Sequence, residues 1–349
     1  MDCIVQEWNE LSGFVYLMMS TFWIETIRSF IFNSGLWIGL LLLISCQNRF
    51  ADSSGETKPP TGFMNETVLK AALWLGWVDL MEADPPIPPD IEVFKDIEYK
   101  KVDSLSLQLD IYKQKNISKP TPLILFIHGG AWRTGKRSDY LPYLLDYAKK
   151  GYVTATVSYR LVKQALFPAA VQDVNCALQW IRANAAKYQI DPDRIALLGG
   201  SAGGHLAMMI GYGGENELFN QDCNLDTQEK VKAVINFYGP ADLTTPYAIS
   251  MYQVKDFLGT EYDKNPVVFR DSSPRFYISA DDPPTLIFHG TIDSLVPVSQ
   301  SDSLQSWLNQ AGVPNVYHRL KGWPHAMDVS VKVNRYCQQR IDEFLDKYL

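Results

Sequence analysis

Apolar and polar residues alternate along the chain in two different ways. Ile97 to Tyr99 and Leu105 to Ile111 alternate with period two, the pattern of half-buried antiparallel strands. Downstream the pattern becomes short runs of apolar and small residues: Leu123 to Ile127, Val153 to Val157, Ile195 to Leu198, Val231 to Phe237 and Thr285 to Phe288. Such runs suit parallel strands covered on both faces, and a last strand is expected over Val316 to Leu320. Between them lie helical periods. Pro168 to Tyr188 places Val171, Val174, Leu178, Ile181, Ala185 and Tyr188 on one stripe, with proline at its start. Ser299 to Gln310 and Val329 to Leu349 also read as amphipathic helices. Strands alternating with helices of this length predict an α/β chain: a mostly parallel sheet with helices on both faces.

The first 95 residues do not share this pattern. Gly35 to Ser45 reads GLWIGLLLLIS, without a charge. It falls short of the roughly 20 apolar residues a spanning helix needs. It fits the hydrophobic region of a signal peptide, with Arg28 as the preceding positive charge. Leu43-Ile44-Ser45-Cys46 resembles a bacterial lipobox, which makes Cys46 the candidate lipidation site. A plain cleaved signal and an uncleaved anchor helix from about Phe30 are the alternatives. Asp2, Glu7, Glu10 and Glu25 make a poor leader charge pattern, so Met18 or Met19 is a candidate start. All three readings put the following domain outside the cytoplasm of a bacterial host, lipid-anchored or tethered to a membrane. The expected organisation is a targeting segment over 1–45, a tether and extension over 46–95, and a globular domain over 96–349. Within the extension, Glu66 to Leu80 has the makings of a short helix carrying Trp74 and Trp77. The prolines of ADPPIPPDIE then forbid its continuation.

Composition narrows the partners. The 349 residues carry a net charge of -7, with 46% hydrophobic and 20% charged positions. There is no long Lys/Arg run, so neither nucleic acid nor an anionic membrane surface is an expected partner. The five cysteines form no C-x-x-C pair and no zinc spacing, so no metal or other cofactor is expected. Cys176 and Cys337 read as buried on helix faces, and Cys223 as an exposed residue of a polar segment.

Ile195-Ala196-Leu197-Leu198-Gly199-Gly200-Ser201-Ala202-Gly203-Gly204 carries the strongest chemical signal. A buried strand runs into G-x-S-x-G and then into a helical period. A serine at the apex of so sharp a turn has its hydroxyl clear of the sheet, and the flanking glycines prevent collision. Ser201 is therefore the candidate nucleophile. Phe126-Ile127-His128-Gly129-Gly130-Ala131-Trp132 ends the first central strand with small residues. Its Gly129 and Gly130 amides, with that of Ala202, are candidate donors to an oxyanion, and Trp132 is a candidate pocket wall. His128 is read as a structural residue of that loop.

Of five histidines, His325 alone lies in the loop between the last strand and the last helix, where a general base follows nucleophile and acid in chain order. His318 falls within the strand, His205 sits one turn past Ser201, and His289 ends a strand where packing is the default. Asp293, just after that strand, is the chosen acid, and Asp242 in Tyr238-Gly239-Pro240-Ala241-Asp242 is its rival. Asp281 and Asp282 read as loop or capping residues and Asp173 as a salt-bridge partner.

As a set, HGGAW, GGSAGGH, FYGPADL, DDPPTLIFHGTIDSLVPVSQS and GWPHAM resemble the esterase/lipase-like α/β hydrolases related to bacterial feruloyl and acetyl-xylan esterases. Hormone-sensitive-lipase-like esterases and kynurenine formamidases are neighbouring relatives. The resemblance covers about Asp96 to Leu349 and implies the α/β-hydrolase fold with small cap insertions. It also implies hydrolysis of small-molecule carboxylic esters through an acyl-enzyme, with Ser201, Asp293 and His325 as triad. The alternatives are amide or formamide hydrolysis by the same residues, or a non-catalytic binding protein on the same fold. Tyr212, Phe219, Tyr247, Tyr252, Phe257 and Tyr262, from two insertions, either line a pocket or close the cap over the core.

Overall fold

A computed structural model describes residues 58–221, 223 and 230–349. The expected targeting segment 1–45 and Cys46 lie outside these residues. Among the described residues, no helix is long and apolar enough to cross a membrane. Eight strands form one sheet: β1 (Ile91–Val102), β2 (Leu105–Gln114), β3 (Thr121–Ile127), β4 (Val153–Val157), β5 (Ile190–Gly200), β6 (Ala233–Phe237), β7 (Thr285–Gly290) and β8 (Asn315–Leu320). Their order is β1-β2-β4-β3-β5-β6-β7-β8. The alternating segments β1 and β2 are the antiparallel edge, and β3 to β8 pair in parallel. The period of the sequence thus separates the half-solvated edge from the buried centre.

The helices are α1 (Glu66–Trp74), α2 (Leu141–Lys149), α3 (Ala169–Ala183), α4 (Ala185–Tyr188), α5 (Ala202–Gly213) and α6 (Glu217–Asn220). They continue with α7 (Pro246–Ser250), α8 (Tyr252–Leu258), α9 (Pro266–Asp271), α10 (Ser299–Ala311) and α11 (Val331–Tyr348). Two expectations change. The helix from Pro168 to Tyr188 breaks at Asn184, whose side-chain amide donates back to the Trp180 carbonyl at 2.9 Å. The helix from Glu66 is capped by Asn65 and stops at Trp74, with Gly76 following at a left-handed φ of 69°.

Both faces of the sheet are buried. Leu123, Leu125 and Ile127 of β3 join Val153, Ala155 and Val157 of β4 in a core filled by α3, α5 and α10. On the other face, Phe126 meets Tyr143 and Tyr147, Phe237 meets Tyr143, and Phe288 stacks on Phe237. Helix α2 in turn meets α11 through Tyr147 to the Gln338 carbonyl and Lys150 to Asp342. Asp173 is fully buried under a two-point contact from Arg160, both distances 2.8 Å, and an ion pair with Lys100. That is the salt-bridge role its position on α3 predicted.

The described part of the expected tether and extension, from Pro60 onward, belongs to the compact unit. Gly62 and Phe63 donate their amides to the Lys321 and Gly322 carbonyls at 2.9 and 2.7 Å, and Trp323 Nε1 donates to the Pro60 carbonyl at 2.8 Å. Farther along, Val331 and Met81 donate their amides to Asp79 and Val329. One sequence expectation needs correction: Cys176 and Cys223 are joined by a disulfide. Cys176 does face inward from α3, and the partner it meets there is the cysteine of the polar segment; Cys337 is buried and free.

The turn from β5 into α5 is sterically closed. Ser201 adopts φ 55° and ψ -123°, a strained region for a residue with a side chain. A Cβ on Gly203 would stand 2.0 Å from the Ile127 carbonyl oxygen, and one on Gly199 2.3 Å from the Gly203 backbone. Glycine is required at both positions because main chain, which cannot move aside, occupies the space.

Two outcomes follow. Gly203→Ala forces β3 and α5 apart, so its urea midpoint falls by the equivalent of about 1–3 kcal/mol, measured by equilibrium denaturation. Reducing the Cys176–Cys223 bridge, or Cys223→Ser, lowers stability by about 2–4 kcal/mol, read as a lower melting temperature with reductant than without.

Candidate active site

The parallel order sets the carboxyl ends of β5, β6, β7 and β8 side by side, and each delivers one loop to the same rim. Ser201 follows β5, and its amide donates to the carbonyl of Phe237, the last residue of β6 (2.9 Å). Tyr238 follows β6, and its amide donates to Phe288 of β7 (2.8 Å). Asp293 lies in the turn after β7 and His325 in the loop after β8.

The last two loops are stitched together. Thr291 donates its amide to Leu320, Ile292 to Trp323, and the Gly322 amide donates to Thr291 Oγ1 at 2.8 Å. This stitching puts His325 Nδ1 2.7 Å from Asp293 Oδ2. Asp293 Oδ1 accepts the amides of Leu295 and Val296 at 2.9 and 2.8 Å. Burial alone would raise this carboxyl's pKa. The His325 charge and the hydrogen bonds from His289 and His325 outweigh burial and hold it well below the usual carboxylate range. Asp293 is therefore a buried carboxylate that fixes Nδ1–H on His325, leaving Nε2 as the nitrogen able to take a proton.

The sequence reading missed a second histidine on Asp293. His289 Nε2 lies 3.1 Å from Asp293 Oδ2 and 2.8 Å from the Val296 carbonyl, while Nδ1 meets Ser301 Oγ at 2.7 Å. A carbonyl only accepts, so Nε2 carries the proton and Nδ1 accepts from the serine. The signal was the four-residue spacing of His289 and Asp293 across one tight turn. The rival acid, Asp242, is engaged elsewhere: it pairs with Arg275 at 2.6 Å and accepts from Thr244. Asp281 pairs with Lys230, and Asp282 binds the Ser279 amide and hydroxyl.

The glycine loop meets the serine turn from β3. A Cβ on Gly129 would lie 2.8 Å from the Gly200 carbonyl and 3.5 Å from Ser201 Cβ, so the two backbones nearly touch. Ala131 and Trp132 both hold left-handed φ values, 52° and 57°. His128 braces this loop: its Nδ1 donates to the Gly129 carbonyl at 2.9 Å and its ring stacks on Tyr159 at 4.3 Å. Ala202 opens α5, and the first amides of a helix have no partner within it.

Trp132, expected as a pocket wall, is 4% exposed. Its ring stacks on Phe257 of α8 at 4.3 Å and meets His205 edge-on at 5.0 Å, so it seats the cap on the core. Most cap aromatics do the same: Phe219 and Phe257 are buried, and Tyr212 bonds to Thr285. Tyr247 is half-buried and Tyr252 exposed. Burial pushes His205 and His318 down to about 4, each with a fixed partner, the Ser272 carbonyl and the Tyr336 hydroxyl. Among the described residues, no group of three His, Cys, Asp or Glu is placed to hold a metal ion.

The chain is similar to known esterases. Esterase LipC of Mycobacterium tuberculosis is 30% identical over 259 residues, covering 71% of this chain and 64% of its own. The chain spans 53 to 64% of the length of the first curated relatives it matches. Among solved structures, a Thermogutta terrifontis thermophilic esterase with butyrate bound is 28% identical, with a TM-score of 0.63 over 74% of this chain and 94% of that one. A truncated carbohydrate esterase from gut microbiota is 26% identical, with a TM-score of 0.63 over 73% and 97%. The BD-FAE family model matches residues 109–308, more than half of the chain and including Ser201 and Asp293, so this chain belongs to the BD-FAE family and has the α/β-hydrolase fold of these esterases.

Proposed function

We propose that the protein is a serine carboxylesterase that works through a Ser201–His325–Asp293 triad and an acyl-enzyme. The observation that carries this reading is the Asp293–His325 hydrogen bond, held by stitched loops, on the rim where Ser201 sits at a strained turn. His325 Nε2 takes the Ser201 proton as Oγ attacks the acyl carbon. The amides of Ala202, Gly129 and Gly130 receive the negative charge, which main-chain donors stabilise without reorganising. His325 then passes its proton to the departing alcohol oxygen, and water attacks the acyl-enzyme by the same route.

The substrate class is small acyl esters, including those carried on carbohydrate. Two features support it: the likeness to an esterase that holds butyrate and to a carbohydrate esterase, and cap aromatics spent on packing rather than on an open apolar trough. We place the protein outside the cytoplasm. The disulfide, which oxidising compartments favour, supports this, as does the uncharged run Gly35 to Ser45 with Cys46 as its lipid-attachment site.

Ser201→Ala lowers kcat on p-nitrophenyl acetate by roughly 10⁶-fold and abolishes labelling by a fluorophosphonate probe; a variant that still labels would place the nucleophile elsewhere. N-formyl substrates assayed in parallel decide between ester and formamide hydrolysis. Asp293→Asn offers an amide N–H to His325 Nδ1, which moves the imidazole proton to Nε2 and leaves no base facing Ser201, and kcat falls by roughly 10⁴-fold. The folded carboxyl titrates below its unfolded value of about 3.9, so its stabilisation is present above that pH. It is lost as pH falls through the depressed value. Acid unfolding followed by circular dichroism is therefore shallower below about pH 4 in Asp293→Asn than in the parent.

A further inference from the structure

Tyr238 and Asp328 form a buried pair that the proposed reaction does not use directly. Tyr238 sits at φ 41°, a left-handed value that a residue with a ring adopts only under constraint. Its ring packs against that of His325, with centroids 4.5 Å apart and planes tilted by 55°. Its hydroxyl donates to Asp328 Oδ1. Tyr140, just before α2, brings its hydroxyl to the same place. Both hydroxyls reach beneath the residue before Ser201: a Cβ on Gly200 would stand 2.4 Å from Tyr140 Oη and 3.0 Å from Tyr238 Oη.

Asp328 lies three residues beyond His325, in the 3-10 turn Met327–Val329, and Asn334 Nδ2 donates to its carbonyl. It is 4% exposed, and burial raises its carboxyl pKa against the opposing Tyr238 hydrogen bond. A buried carboxyl and a strained ring bonded to each other are two unfavourable features where an apolar side chain would pack without either. Their shared neighbour is His325. The pair also joins the serine turn, the end of β6 and the base loop, the parts that must keep a fixed spacing.

We propose that Tyr238 is a positioning residue for His325, its ring serving as the platform for the imidazole and its hydroxyl pinned by Asp328. The role rests on His325 being the base. A ring held at one face limits the tilt of the imidazole, so Nε2 keeps its line to Ser201 while Nδ1 stays on Asp293. A misplacement of about 1 Å at such a site costs on the order of 10²-fold in rate.

The test measures kcat and KM on p-nitrophenyl acetate, the fluorophosphonate labelling rate and the melting temperature. The variants are Tyr238→Phe, Tyr238→Leu, Asp328→Asn and His325→Ala. Tyr238→Leu is expected to lower kcat and the labelling rate by roughly 10²-fold with KM within about threefold. Tyr238→Phe, which keeps the platform and loses the pin, should fall between Leu and parent. Asp328→Asn, which keeps an acceptor for the hydroxyl, should lie closer to the parent than Tyr238→Phe. Should the leucine variant fail to fold, the Phe and Asn variants read the same order. Parent-like kcat in Tyr238→Phe and Tyr238→Leu, or a loss confined to KM, with His325→Ala inactive, would overturn the positioning role and leave the base assignment standing. An active His325→Ala would overturn both.

Discussion

The hydrogen bond from His325 Nδ1 to Asp293 joins two loops that the chain separates by a strand and a helix. It is short because the loops are already fastened, backbone to backbone, before either side chain is considered. Parallel pairing of β7 with β8 puts the loop roots side by side, and the carboxylate satisfies itself on the Leu295 and Val296 amides. The imidazole thus meets an acceptor that is charged, buried and immobile. Remove that bond and the rim retains a serine at a strained turn and a loop of glycine amides, with nothing to set the tautomer of His325.

The rim concentrates arrangements that folding alone would avoid. Ser201, Tyr238, Ala131, Trp132 and Ala326 all hold positive φ, and Asp293 and Asp328 are buried acids. Each deviation is held by something rigid nearby: Ser201 by the Phe237 carbonyl, the glycine loop by His128 on Tyr159, Asp293 by two amides and two histidines. Two apolar cores, one on each face of the sheet, supply the stability that lets such strain persist. The cap is tied to the same core, with Trp132 clasped between Phe257 and His205.

Much of this was legible in the chain. Period-two segments mark the antiparallel edge, unbroken runs mark the buried strands, and the glycines around Ser201 are explained by contacts under 2.5 Å from a missing Cβ. That Asp293 and His325 would meet could be read from their position relative to strand ends, because the parallel order fixes where strand ends gather. Elsewhere the local pattern misled. His289 looked like packing because its partners, Val296 in the following turn and Ser301 at the start of α10, meet it along a path the residues do not specify. Trp132 looked like a pocket wall because nothing local announces the ring of Phe257, more than a hundred residues away. Cys176 and Cys223 looked unrelated for the same reason: a crosslink from a helix to a residue 47 positions away has no local signature.

The segment from Pro60 to Phe63 has an effect beyond stability. Its partners are Lys321, Gly322 and Trp323, the stretch that ends two residues before the imidazole. The loop that carries His325 is therefore moored to residues outside the sheet through three hydrogen bonds and the edge of Phe63 on Trp323. Loosening that mooring would widen the freedom of the histidine's loop while leaving every strand pairing intact.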